Sequence, residues 1–177
     1  MLAEGKLFLQ LENIRDDGIL NLEKQFFISD KDYLHWTSRC EVREGDCVIT
    51  NVGRIGAVSQ IPWFLKAAMG RNMTCIRYKE GHPYPAFLIT SLLSKPVRAE
   101  IEFNTDSGTI LGALNVKNIP KLKLKILPEN QMVVLESTLC AIRHKMELNS
   151  AESLKLGNLR DYLLPKLISG KVDMSSL

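Results

Sequence analysis

Apolar and polar positions change period along this chain. Short segments, two of which alternate at Lys6 to Leu11 and Leu122 to Leu127, occupy the first three quarters, and a sustained helical period takes over from Glu129 to Leu164. Stepping by three and four through Met132, Leu135, Leu139, Ile142, Met146, Asn149, Ser153, Leu156, Arg160, Leu163 and Leu167, eight of eleven positions are Met, Leu or Ile. That is a heptad seam. Residues between the seam positions, including Arg143, Lys145, Glu147, Glu152, Lys155 and Asp161, are charged, which predicts a narrow apolar stripe and a wet opposite face. Thirty-six helical residues would reach about 54 Å at 1.5 Å per residue, more than a compact domain of this size needs. The segment reads as a strut seeking a partner helix. The same period also suits an amphipathic helix folded back along its own domain.

Ahead of the strut, Lys6 to Leu11 alternates as a strand, Asp16-Asp17-Gly18 makes a turn, and Gln25 to Ile28 forms a second strand. Ser29 is placed to cap a short helix whose buried side would be Tyr33, Leu34 and Trp36. Cys47-Val48-Ile49-Thr50 is a β-branched strand, and Gly56 to Ser59 begins its return. Pro62 to Arg71 reads as irregular, Met73 to Arg77 as a strand, and Pro83 with Pro85 opens a helix to about Ser94. A further short helix precedes Ser107-Gly108-Thr109. Leu122 to Leu127 alternates with lysines as a half-exposed strand, and Pro128 ends it and starts the long helix. Gly157 weakens that helix by about 1 kcal/mol relative to alanine and marks a place for a kink.

The predicted fold class is therefore α+β, a mixed head followed by a long C-terminal helix. At 177 residues, one globular domain with a helical extension fits the length. No segment resembles a signal peptide or approaches the ~18 apolar residues that span a bilayer, so the expected compartment is the cytoplasm. Cys40, Cys47, Cys75 and Cys140 contain no CxxC pair and have only three histidines beside them, which argues against zinc and for free thiols. Net charge is only +3, yet residues 66 to 99 carry 6 Lys or Arg against 1 acidic residue while residues 1 to 65 carry 7 against 10. The positive charge belongs to the head, where it suits nucleic acid or simply a solvated surface.

Chemistry is hard to find. No Asn-Pro-Pro-Tyr loop, glycine motif for S-adenosylmethionine or phosphate-binding loop is present, and the only Glu-x-Lys, at Glu4 to Lys6, lacks a preceding acidic partner. The richest stretch is Gly45-Asp46-Cys47-Val48-Ile49-Thr50-Asn51-Val52-Gly53-Arg54-Ile55-Gly56. A strand runs into a turn whose glycines permit positive φ, and the turn is expected to expose Asn51 and Arg54, side chains suited to base edges or phosphate. A plain hairpin with polar tips fits the same residues.

The order Gly45-Asp46-x-Val48-Ile49-Thr50-x-x-Gly53-x-Ile55-Gly56, Phe87-Leu88, Ser107-Gly108-Thr109, Leu114, Ile119, Leu124 to Pro128 and Gln131 resembles the target-recognition domain of type I restriction-modification specificity subunits. The segment from Leu159 to Lys171 is similar to the end of the helix that follows such a domain. The resemblance implies residues 1–128 as a DNA-recognition head lacking about thirty usual N-terminal residues, and 129–177 as spacer helix and tail. It implies a non-catalytic protein with no cofactor of its own, S-adenosylmethionine being bound by a partner methyltransferase subunit. The implied partners are double-stranded DNA, modification and restriction subunits, and a second copy or another specificity subunit in an antiparallel coiled coil.

On this reading Asn51 and Arg54 lead the DNA contacts, followed by Lys66, Arg71, Asn72, Arg77 and Lys79 of the basic block, with Ser107 and Thr109 as neutral phosphate donors. The pairing face would be Met132, Leu135, Leu139, Ile142, Met146, Leu156, Leu163 and Leu167. The competing expectation is a truncated structural or regulatory remnant that pairs through its helix without reading DNA.

Overall fold

The computed structural model describes residues 4–78, 83–106 and 112–169. Its organising element is β3 (Cys47–Thr50), all four residues of which are buried. A strand sends successive side chains to opposite faces. Val48 accordingly enters one core with Leu9, Ile14, Leu20, Val42 and Ile61, while Cys47 and Ile49 enter another with Leu88, Ile89, Leu92, Val97 and Ile101. The strand is a wall between two cores, which explains why Cys47, Val48 and Ile49 are apolar in succession.

On either side of β3 lie β4 (Val58–Gln60) and β6 (Met73–Ile76), both antiparallel to it, with Ile49 opposite both Val58 and Thr74. A second sheet has β1 (Lys6–Leu9) at its centre, antiparallel to β2 (Phe27–Ile28) and parallel to β5 (Ala68–Met69). β5 falls inside the stretch read as irregular. Two residues are too few to show alternation, and the strand exists because Phe8 and Leu9 provide an edge. β7 (Thr105–Asp106) and β8 (Ala113–Leu114) form a small antiparallel pair joined to the main sheet by a bridge between Val52 and Ala113. Leu122 to Leu127 is not a strand. Leu122 and Leu124 still pack against the second core, so the alternation is real, but no edge among the described residues pairs with it.

Helix α1 (Asp30–Thr37) begins where Ser29 predicts, the serine hydroxyl accepting from the Asp32 amide at 3.1 Å. Tyr33 and Trp36 pack on Phe8, Phe26 and Ala68, but Leu34 is 72% exposed. One step along a helix turns about 100°, so Leu34 cannot share the face of its neighbour. α2 (Pro85–Leu93) opens on proline and is followed directly by α3 (Lys95–Phe103); both cover the Cys47–Ile49 face of the sheet.

α4 (Glu129–Ile168) runs 40 residues, about 60 Å, unbroken through Gly157. Its first half is docked on the head. Met132, Glu136 and Arg143 are buried there, and the two carboxylate oxygens of Glu136 each accept a backbone amide, from Ala86 and Phe87, at 2.8 Å. A glutamate from one helix thereby caps the N-terminus of another. Arg143, expected on the wet face, is 7% exposed and donates to the Gly18 carbonyl at 3.0 Å, with Glu147 at 3.7 Å. The head-facing row Met132, Glu136, Arg143, Glu147 follows the natural period of a straight helix, while a heptad row drifts from it. Met132 is thus fully engaged with its own head and is not on offer to a partner. Ile142, Met146, Leu156 and Leu167 are exposed, and Leu135, Leu139 and Leu163 are half-buried. No described helix is long and apolar enough to cross a membrane.

Candidate nucleic-acid interface

The turn after β3 is built as its glycines suggest. Gly53 and Gly56 adopt φ of 84° and 76°. The Thr50 hydroxyl donates to the carbonyls of Arg54 and, at 3.3 Å, Ala57, and the Gly56 amide donates to Thr50 at 3.0 Å. At Gly56 a Cβ would sit 3.0 Å from Ile101 Cγ2, so the glycine also lets α3 approach. The loop is tied at several points, which fixes where its side chains point.

Asn51 does not point outward. It is 9% exposed, and its Nδ2 donates to Thr74 Oγ1 at 2.7 Å. The Asn51 backbone donates to the Asn72 carbonyl at 2.7 Å and accepts from the Leu114 amide at 2.8 Å, so the residue knots three segments together. The expectation of an exposed Asn51 is corrected: the strand pairing continues one residue past β3 and carries the side chain inward. Its Oδ1 is buried and without a hydrogen-bond partner among the described residues. Such an acceptor is costly to bury.

Asn72, exposed beside it, is the one described non-glycine residue with positive φ, 63°, a conformation asparagine tolerates. Arg71 is its exposed neighbour. Asn51, Arg71 and Asn72 therefore gather at the end of the sheet where β3 leaves and β6 begins, next to β8.

Arg54 turns away from this group toward the first turn of the chain, donating to the Ile14 carbonyl at 3.0 Å and ion-pairing with Asp16. Lys66 is exposed but lies beside the other sheet, where Ala67 bridges to Val42. Arg77 is at the opposite end of β6, about 16 Å from Asn72 at 3.3 Å per residue. Its guanidinium grips the buried Asp46 through two bonds of 2.7 and 2.5 Å and donates to the Glu41 carbonyl at 2.8 Å. The hydrogen bonds to Asp46 raise the Arg77 pKa further above its already high value. Its main contact is thus a structural one, against the expectation of a free basic side chain. Lys79, Ser107 and Thr109 lie outside the described residues.

The charges missed in the sequence are those whose partners are remote. Arg98 joins Arg54 on Asp16, 82 residues away, and Glu136 and Arg143 reach across to α2 and to Gly18. No local motif signals these contacts. Among the described residues no group of three or more His, Cys, Asp or Glu is placed to hold a metal ion.

A further open feature is a cleft of about 620 Å³ between α4 and the head, lined by Leu20, Leu22, Phe64, Met146 and Leu154 among polar residues. Beside it, Trp63 and Phe64 stand exposed in edge-to-face contact at 5.8 Å.

No family model matches the sequence, and no curated protein matches it. Among solved structures, the chain is similar to one from a study of complex assembly and conformational transition of the type I R-M system, with 17% identity and a TM-score of 0.49. The match takes in 93% of this chain and 38% of that one.

Proposed function

We propose that this protein reads one half of a bipartite DNA target for a type I restriction-modification complex. In this reading α4 pairs antiparallel with an equivalent helix, and the modification subunits, which carry S-adenosylmethionine, dock on the paired scaffold. The chain itself performs no catalysis. Residues up to Pro128 form the recognition head, and the helix with the tail forms the spacer. The family reading comes from the motif order between Gly45 and Lys171.

The observation that carries the role of the helix is the exposed apolar surface of its second half. Beyond Glu147 the exposed residues include Leu148, Leu156, Leu159, Tyr162, Leu164, Leu167 and Ile168. About twenty residues of helix with so much apolar surface in water are a poor stopping point, because isolated helices are marginal and apolar rows of this kind are normally covered. A matching helix covers them. A paired strut of about 60 Å also exceeds the ~34 to 36 Å of one DNA turn, leaving room for an unread spacer between two half-sites. Light scattering at tens of micromolar should give a dimer mass; a monomer mass would count against the pairing.

The second reading, a partner-binding remnant that does not read DNA alone, is favoured by one specific observation. Asn51 and Arg77 are held internally, and Arg54 has an internal ion partner. Mobility shifts of a cognate duplex with this chain alone, and then with the modification subunit added, separate the two. Binding by the chain alone supports the first; a shift requiring the subunit supports the second.

A further inference from the structure

Two arginines from different elements converge on one exposed carboxylate. Arg54 leaves the loop after β3 and ion-pairs with Asp16, while Arg98 on the first turn of α3 places Nη2 4.0 Å from Asp16 Oδ1. Neither guanidinium relies on that carboxylate for its position. Arg54 Nη1 donates to the Ile14 carbonyl at 3.0 Å. Arg98 Nη1 donates to the Gly56 carbonyl, and its Nη2 donates to the Asp16 backbone carbonyl at 3.1 Å. Backbone carbonyls thus fix both cations, one across the turn at 14 to 16 and the other between that turn and the loop of Gly56.

The carboxylate is the loosely held member. The Asp16 side chain is 60% exposed, against 49% for Arg54 and 25% for Arg98. Exposed ion pairs contribute little to stability, so rotating Asp16 outward costs little. What would remain is a pair of pre-oriented guanidinium groups open to solvent. Phosphate oxygens suit such a fork well, because each can accept charge-assisted hydrogen bonds in the geometry that guanidinium presents.

We infer that Arg54 and Arg98 form a site for a DNA backbone phosphate, which the Asp16 side chain occupies until DNA displaces it. This rests on the DNA-reading function proposed above and names a contact, Arg98, and a resident competitor, Asp16, within it. The site positions the duplex without reading sequence, since it addresses only the backbone.

Binding of the full chain to a short labelled duplex of arbitrary sequence, followed by fluorescence anisotropy at low salt, tests this. Asp16→Asn should tighten binding about 3- to 10-fold, because the phosphate then has no resident carboxylate to displace. Asp17→Asn makes the same charge change one residue away, releasing Arg15 rather than Arg54 or Arg98, and keeps an oxygen for the Ile19 amide; Arg15 lies outside the paired site, so this variant should stay within about two-fold of the parent. Adding Arg54→Gln to Asp16→Asn should abolish the gain. Equal effects at Asp16 and Asp17 would reduce the matter to overall charge and overturn the inference. A parent protein that binds, with Asp16→Asn unchanged, would overturn it and leave the DNA reading standing. Absence of binding by both parent and Asp16→Asn would remove the DNA reading and this site with it.

Discussion

Arg143 Nη2 donates to the carbonyl of Gly18 across 3.0 Å and 125 residues of sequence. The bond fastens α4 to the turn that also carries Asp16, and it does so with a buried charge. Burial lowers the Arg143 pKa, and its Nε has no hydrogen-bond partner among the described residues. Arg143→Ala should cost about 2 to 3 kcal/mol in urea unfolding, from the lost packing and the lost charged hydrogen bond to a carbonyl that the Gln60 amide also meets at 3.0 Å. Arg143→Met should cost clearly less, since it keeps the volume and removes a desolvated cation. Equal losses would mean that the charge itself, rather than the packing, secures the helix.

Glu136 is the stronger fastening. Its two oxygens satisfy the Ala86 and Phe87 amides at the start of α2. Glu136→Ala should destabilise the protein by about 2 to 4 kcal/mol, and Glu136→Gln by less, because the amide oxygen still accepts one bond. Chemical unfolding of the three proteins side by side measures the order.

The same carboxylate governs a thiol. Cys140 donates to Glu136 Oε1 at 3.2 Å, and burial, then the hydrogen bond and charge of Glu136, push its pKa up to about 11. Although exposed, it should react with iodoacetamide roughly 10- to 100-fold more slowly at pH 8 than an ordinary surface thiol, because less of it is thiolate. A raised thiol pKa means that the rate keeps rising with pH past the usual range. Glu136→Gln should lower the pKa and speed the reaction at pH 8. Cys47, buried and pushed up to about 12 chiefly by that burial, should react only when the head unfolds.

Two glycines should respond with opposite sign. Gly18 has φ of 84°, and a Cβ there would meet Leu93 Cδ1 at 2.8 Å and Arg143 Nη1 at 3.1 Å. Gly18→Ala should destabilise by about 1 to 3 kcal/mol. Gly157 is helical with nothing within 4 Å of a built Cβ, so Gly157→Ala should stabilise by about 1 kcal/mol. Thermal unfolding of both variants by circular dichroism checks the signs.

The proposed pairing has its own separable signature. Leu156→Lys with Leu163→Lys should convert a dimer to a monomer at tens of micromolar, while Cys47 remains as protected as in the parent. Simultaneous loss of that protection would show that the substitutions had unfolded the head instead.

Local signals were legible in the sequence and remote ones were not. Ser29 as a cap, Cys47–Thr50 as a strand, Pro85 as a helix start and the long helix after Pro128 each depend on neighbours within a few positions, and all are found. Arg77 looked like a free cation because its partner Asp46 lies 31 residues earlier. Asn51 looked exposed because the pairing of its backbone with Asn72 and Leu114 cannot be read from the turn. Arg143 looked solvent-facing because a heptad count describes a partner helix, whereas the head selects its own row on a straight one. For Asn51, Arg54 and Arg77 the direction of the side chain was set by tertiary hydrogen bonds that no local pattern announces.

One end of α4 is anchored, and that makes residue number a unit of angle. Met132, Glu136 and Arg143 hold the first half of the helix against the head. A residue inserted after Ser150 would leave those contacts in place, yet turn every side chain beyond it by about 100° and advance it by about 1.5 Å. The orientation of the far end relative to the head is therefore written in the length of the helix. Seven inserted residues nearly restore the phase, whereas two or five throw the apolar row to another side. The helix works as a toothed shaft keyed to the head at one end, on which distance and rotation change together.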